Sequence, residues 1–273
     1  MMRLALLLVI LPACFRLDSF VYSRRTVDAY DFDFDSDDPK EVITADRFEH
    51  FSIPVEDGQV AAVYVRASAP ASTYVIYFHG QGQLLDGALG RVKRLANLGV
   101  DVLAVNYRGF GTSTDMRPTE ASVAADTKAS VDYLRARAGA VARIVYYGRS
   151  FGTATATQRA IDDPPAALIL ESPIASLEAF KTDSSGFDFP IGFIADARWD
   201  TEHMIALVHT PVLVMHGLAD DYVRHEFGER VFANANFPKQ LILVPGADHS
   251  NVAETMGDAW DAAVTSLIRP GSR

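Results

Sequence analysis

Arg143-Ile144-Val145-Tyr146-Tyr147-Gly148-Arg149-Ser150-Phe151-Gly152 is the stretch that decides how the rest of this chain is read. Residues 144–147 carry no charge, as expected of a strand buried on both faces. The small residues at 153–157 suit the start of a helix. Between them, Gly-x-Ser-x-Gly makes a sharp strand-to-helix turn that lifts the serine hydroxyl above the sheet in a strained backbone conformation. Gly148 and Gly152 lack Cβ atoms, so such a turn closes without clashes. The helix start offers its amides to arriving negative charge. Ser150 is therefore predicted to be a nucleophile on an elbow formed by Gly148, Arg149 and Gly152.

The same rhythm of strand and helix continues on both sides. Tyr74-Val75-Ile76-Tyr77-Phe78 and the runs at 100–106, 166–171, 212–216 and 240–244 read as further buried strands. Residues 48–55 and 59–67 read as strands joined at Glu56-Asp57-Gly58, a hairpin signal. Helices are expected near 87–98, 119–137, 151–162, 223–235 and 251–267. This alternation predicts an α/β fold with a mostly parallel, doubly wound sheet of eight strands, in a domain covering 47–273. Residues 173–200 interrupt the pattern between the sixth and seventh strands. They carry Phe180, Phe187, Phe189, Phe193 and Trp199, with Ser184-Ser185-Gly186 and Pro190 as breakers. Two readings stand for this insertion: a small cap or lid over an apolar pocket, or a helix that covers the sheet.

Three other strand ends collect polar chemistry. Phe78-His79-Gly80-Gln81-Gly82 precedes the first main helix, and acyl transfer needs two backbone N–H groups aimed where a carbonyl oxygen turns negative. Phe151, directly after the serine, and Gln81 are the candidates for this oxyanion hole. His79 is expected to shape its own loop by hydrogen bonding. Asp220 follows the strand ending at His216-Gly217, and His249 follows the strand ending at Val244. That order suits a Ser-Asp-His triad in which Asp220 fixes the imidazole and His249 moves the proton. Asp221 and Glu171 are rival acids. Asp248 is read as a local turn residue, His216 as structural, and His50, His203, His209 and His225 as surface or packing groups.

Composition narrows the field of functions. The chain has 273 residues, a mass of 29.8 kDa, 49% hydrophobic and 22% charged residues, ordinary for one folded domain. A formal net charge of −10 makes nucleic acid a poor partner, because phosphate binding needs a basic face. The single cysteine, Cys14, rules out an internal disulfide or a multi-cysteine metal site. It closes Leu11-Pro12-Ala13-Cys14, behind a charged start and the apolar run 4–11. That run is too short for a bilayer of roughly 30 Å. It reads as a signal peptide over 1–13; Leu11-Pro12-Ala13-Cys14 resembles the bacterial lipobox, which implies Cys14 as a lipidation site and a membrane lipid anchor, with plain secretion as the alternative. Either way the protein is expected to be exported. Residues 14–46, including Asp31-Phe32-Asp33-Phe34-Asp35-Ser36-Asp37-Asp38, are read as a solvated linker. The tract lacks the glycine and terminal glutamate of a calcium loop.

With these blocks in hand, residues 48–268 resemble the Bem46-like branch of the α/β-hydrolases, which includes depalmitoylating thioesterases and lysophospholipid lipases. The blocks are 78–82, Asn106-Tyr107-Arg108-Gly109-Phe110-Gly111-Thr112-Ser113, 148–152, Leu170-Glu171-Ser172-Pro173, 216–220 and Gly246-Ala247-Asp248-His249. The resemblance implies the α/β-hydrolase fold and a turn at 108–111 near the rim of the site. Many relatives carry a small residue or asparagine where Gln81 stands.

Together these features predict a serine hydrolase acting on a carboxylic ester or thioester through an acyl-enzyme, with no cofactor or metal and a small or lipid-like acyl substrate. A peptidase or amidase on the same triad is the alternative within enzymes. A tethered binding protein that has lost catalysis is the alternative outside them.

Overall fold

The computed structural model describes residues 25–34, 36–81, 83–139, 141–179 and 199–269. Its centre is an eight-stranded sheet of β1 (Phe48–Val55), β2 (Gly58–Val65), β3 (Thr73–Phe78), β4 (Asp101–Asn106), β5 (Arg143–Arg149), β6 (Ala167–Glu171), β7 (Val212–Gly217) and β8 (Lys239–Val244), in the order β8-β7-β6-β5-β3-β4-β2-β1. Strands β3 to β8 run parallel, and β2, antiparallel to both β1 and β4, alone runs against the other seven. The hairpin between β1 and β2 turns at Asp57 and Gly58, both at positive φ (60° and 150°).

Alternate residues of the buried strands feed two separate cores. Ile76, Phe78, Leu103, Val105, Tyr146, Leu168 and Val214 point to one face. Val75, Tyr77, Val102, Ala104, Tyr147, Ile169 and Leu213 point to the other. Helices α2 (Glu120–Ala138), α3 (Phe151–Asp162) and α5 (His225–Asn234) cover the first face; α1 (Leu85–Asn97) and α7 (Asp258–Ile268) cover the second. Two shorter helices are α4 (Thr201–Met204) and α6 (Val252–Met256). Burial on both faces explains why these strands read as unbroken apolar runs.

Two expectations need correction. The single helix expected over 251–267 is divided at Gly257, whose φ of 56° ends α6 and starts α7. The buried Arg94 fills that break: it donates to the carbonyls of Ala253 (3.1 Å) and Gly257 (2.6 Å) and to Asp261 (2.8 Å), and lies 4.8 Å from the centre of the Trp260 ring. From residue 25 onward, the expected linker is packed on the domain. Arg25 and Thr26 pair in parallel with Phe110 and Gly111. Tyr30, Phe32 and Phe34 then meet His50 and Phe48, with ring centres 5.0 to 5.3 Å apart. Asp31 and Asp33 alternate with them and face solvent. Half-burying three rings, each a large apolar surface, holds the segment down despite its acidity. The signal peptide, Cys14, Gly82 and most of the aromatic insertion lie outside the described residues.

Candidate active site

The register of the parallel strands brings four strand ends to one rim. Phe78 pairs with Gly148 and with Val105, and Arg149 pairs with Glu171, so the segments after β3 and β5 leave the sheet side by side. Ser150 follows β5 with φ 53° and ψ −121°, the strained conformation expected of the elbow. Its N–H donates to the Glu171 carbonyl at 2.9 Å. A Cβ on Gly152 would lie 2.0 Å from the Phe78 carbonyl oxygen, and one on Gly148 would lie 2.4 Å from the Gly152 oxygen. Only glycines permit the turn.

Asp220 and His249 reach the serine from the next two strands. The Ala219 N–H donates to the Ala247 carbonyl at 2.9 Å, tying the loops after β7 and β8 together. Nε2 of His249 lies 3.0 Å from the Ser150 Oγ, and its Nδ1 lies 2.8 Å from Asp220 Oδ2. The Asp220 side chain is fully buried. Burial pushes its carboxyl up, but hydrogen bonds from His216 and His249 outweigh that and hold it well below the usual carboxylate range. Its Oδ1 accepts from the amides of Tyr222 (3.1 Å) and Val223 (2.7 Å). Asp221 is exposed, and Glu171 is committed elsewhere, to Arg91, Tyr147 and Arg149. Asp248 accepts from the amides of Ser250 (2.7 Å) and Asn251 (3.1 Å), a local turn as expected.

The loop after β3 closes the rim. A Cβ on Gly80 would lie 3.0 Å from the Ser150 Cβ, so the His79-Gly80-Gln81 backbone sits against the serine. Tyr107, Phe110, Phe151, Thr155 and Trp199, with this loop, line a shallow apolar recess. The motif assigns Arg149 only an elbow position. Its guanidinium donates to the His249 carbonyl at 2.9 Å and its Nε lies 3.3 Å from Glu171, so it joins elbow and histidine loop. Nothing in the motif pointed to that contact, which joins two strand ends 100 positions apart in the chain. The sequence presents His216 as structural; its Nε2 lies 3.2 Å from Asp220 Oδ2, and its position four residues before the acid is the signal for that contact.

Comparison with known proteins agrees with this architecture. Residues 69–184 match the family Hydrolase_4, described as Serine aminopeptidase, S33. An uncharacterized protein of Mycobacterium tuberculosis H37Rv is 38% identical over 158 residues, 58% of this chain and 56% of that protein. The chain thus spans little more than half the length of this relative. The uncharacterized protein YfhR of Salmonella typhimurium is 31% identical over 209 residues, covering 71% of this chain and 68% of its own. Among solved structures, an esterase of Pyrococcus furiosus superposes with a TM-score of 0.65 at 18% identity, over 81% of this chain and 90% of that one. The chain belongs to the α/β-hydrolase superfamily.

Proposed function

We propose that the protein is a serine hydrolase that cleaves carboxylic ester or thioester bonds through an acyl-enzyme. The observation that carries this reading is the unbroken line from Ser150 Oγ through His249 to Asp220, at 3.0 and 2.8 Å. His249 takes the serine proton as Ser150 attacks the substrate carbonyl, and returns it to the leaving group. Asp220, a carboxylate buried beside the imidazole, holds the Nδ1–H tautomer and stabilises the imidazolium. The amides of Phe151 and Gln81 receive the oxyanion, and water then releases the acid. The apolar lining of the recess beside them favours an apolar acyl group.

Within the superfamily, the sequence blocks favour the Bem46-like branch. The matched family's description keeps an aminopeptidase reading alongside the esterase one, since amides need the same triad. The Leu11-Pro12-Ala13-Cys14 stretch supports an exported lipoprotein held to a membrane through Cys14. Radiolabelled palmitate should enter the wild-type protein and not Cys14→Ala; entry into both refutes the anchor.

A fluorophosphonate should label Ser150 in the folded protein, and p-nitrophenyl esters of graded chain length should be turned over. Ser150→Ala should lower turnover by several orders of magnitude, the scale of triad deletions. Near-normal esterase activity in that variant ends the assignment. Faster cleavage of aminoacyl p-nitroanilides than of esters favours the aminopeptidase reading, and a folded protein that never labels favours a binding protein.

A further inference from the structure

We propose that Tyr30, in the N-terminal segment packed on the domain, is a positioning residue for the oxyanion hole, acting on the Gln81 amide through Asn106 and His79. The inference rests on the serine hydrolase reading above and deepens it. Its basis is a chain of hydrogen bonds in which each proton is assigned by the chemistry of its neighbours.

The chain starts from two amides. The Thr112 N–H donates to the Tyr30 hydroxyl oxygen at 3.0 Å, leaving the hydroxyl's own proton to go elsewhere. That proton meets the Asn106 side chain at 2.8 Å. The Leu85 N–H also points at the same Asn106 atom, at 3.2 Å. A backbone N–H only donates, so this atom is the carbonyl oxygen of Asn106 and not its nitrogen. The Asn106 NH2 group therefore faces the other way, toward Nε2 of His79 at 2.9 Å. Facing a donor, Nε2 must accept. The proton of the neutral imidazole then sits on Nδ1, which donates to the Gly80 carbonyl at 2.7 Å.

The last link reaches the reaction centre. The Gly80 carbonyl and the Gln81 N–H belong to one planar, trans peptide, so they point in opposite directions. Holding the carbonyl toward His79 turns the amide away from it. Gly80 itself approaches Ser150 so closely that a Cβ there would meet the serine Cβ at 3.0 Å. Asn106 and His79 are both buried, and His79 is stacked on Tyr107 with ring centres 4.5 Å apart, so the relay cannot drift into solvent. Gly111 makes room for it: a Cβ at that position would fall 2.0 Å from the Tyr30 hydroxyl and 2.4 Å from Asn106 Oδ1. The tyrosine hydroxyl thus supplies one of two donors that fix the Asn106 amide, and through it the histidine tautomer.

Tyr30→Phe in the full-length chain tests this, because it removes one oxygen and keeps the ring that packs on His50 and Phe32. With a p-nitrophenyl ester, kcat should fall about ten-fold while KM stays within two-fold, less than the roughly 10²–10³ loss on deleting an oxyanion donor outright. The inhibition constant of a boronic acid, which mimics the tetrahedral state, should rise by the same factor. Affinity for the product acid should not change. A purely structural role moves the melting temperature and leaves this split untouched. Wild-type kcat and boronate affinity in a folded Tyr30→Phe protein overturn the proposal, as does a loss confined to KM. If the wild type neither turns over esters nor labels with fluorophosphonate, the hydrolase reading fails and the proposal falls with it; an active wild type beside an unaltered variant sinks only the proposal.

Discussion

His216 and His249 converge on one carboxylate oxygen: Nε2 of His216 lies 3.2 Å from Asp220 Oδ2, and Nδ1 of His249 lies 2.8 Å from it. His216 is completely buried, and its Nε2 also meets the Val223 carbonyl at 2.8 Å. Its Nδ1 has no hydrogen-bond partner among the described residues and faces Gly228, where a Cβ would lie 2.6 Å away. The ring is thus used at one edge only. With two amides on Oδ1 and two imidazoles on Oδ2, the acid cannot rotate.

His216→Phe should therefore keep the ring volume and lose the restraint. We expect kcat to fall about ten-fold, with stability lower by about 1–3 kcal/mol from the Val223 carbonyl left unpaired. Steady-state kinetics and urea denaturation on the same preparation check both. Unchanged kcat would mean that His249 and the amides alone hold Asp220.

The sequence carried the elements that depend on local pattern and lost those that depend on register. Ser150, Asp220 and His249 each follow a strand with its own signature, so they could be found one at a time. The His79–Asn106 pair could not. It exists because Phe78 lies beside Val105 in the parallel pairing of β3 and β4, which sets the next residues side by side. Tyr30 was missed for another reason. The aspartates between Tyr30, Phe32 and Phe34 gave the tract a solvated look, although aromatic and acidic residues alternate with the period of two that marks one buried face. The division of the last helix was marked only by Gly257, a single residue in an otherwise helical pattern. Asp57-Gly58, by contrast, announced its turn openly.

Acid should destabilise the protein through His79. Burial pushes this imidazole down to about 4, against the smaller upward pull of its hydrogen bond to Gly80. Its ordinary value is about 6.5, so on acidification the unfolded chain takes up a proton before the folded one does. Stability is therefore fully present above about pH 6.5 and declines as pH falls toward 4, by about 3 kcal/mol from this residue alone. Below that window both states are protonated and the slope vanishes. Urea denaturation from pH 4 to 7.5 should show a shallower decline in His79→Gln than in the wild type. Parallel curves would place the acid sensitivity elsewhere.

Beneath the elbow lies a buried ionic cluster whose balance is easily upset. The Glu171 carboxylate, fully buried, is met by Arg91 and by the Tyr147 hydroxyl, with Arg149 Nε at 3.3 Å. Burial pushes its carboxyl up, yet Arg91 first and Arg149 next hold it below the usual range. Arg91→Met should cost about 3–5 kcal/mol, because it removes the main partner of a buried carboxylate and leaves Arg149 and the Tyr147 hydroxyl to balance it. Adding Glu171→Gln should recover part of that loss, since the under-compensated charge goes with it. A double variant less stable than Arg91→Met would contradict the electrostatic account.

Two glycines separate strain in the backbone from strain in the site. At Gly139, the C-cap of α2, φ is 88° and a Cβ would meet nothing within 4 Å. Gly139→Ala should cost about 1–3 kcal/mol for a backbone conformation, with ψ 164°, that glycine alone adopts readily, with ester turnover untouched. At Gly152 the obstacle is rigid: the added Cβ would lie 2.0 Å from the Phe78 carbonyl oxygen and 2.8 Å from that of His79. Neither is a side chain that can swing aside. Gly152→Ala must push the start of α3 away from the end of β3, carrying Ser150 off the His79-Gly80-Gln81 backbone and out of line with His249. Turnover should drop more than about 100-fold, the scale set by misplacing a reacting group by about 1 Å. Fluorophosphonate labelling should slow in step. If Gly152→Ala labels at the wild-type rate, the contact between the elbow and the β3 end does not position the nucleophile.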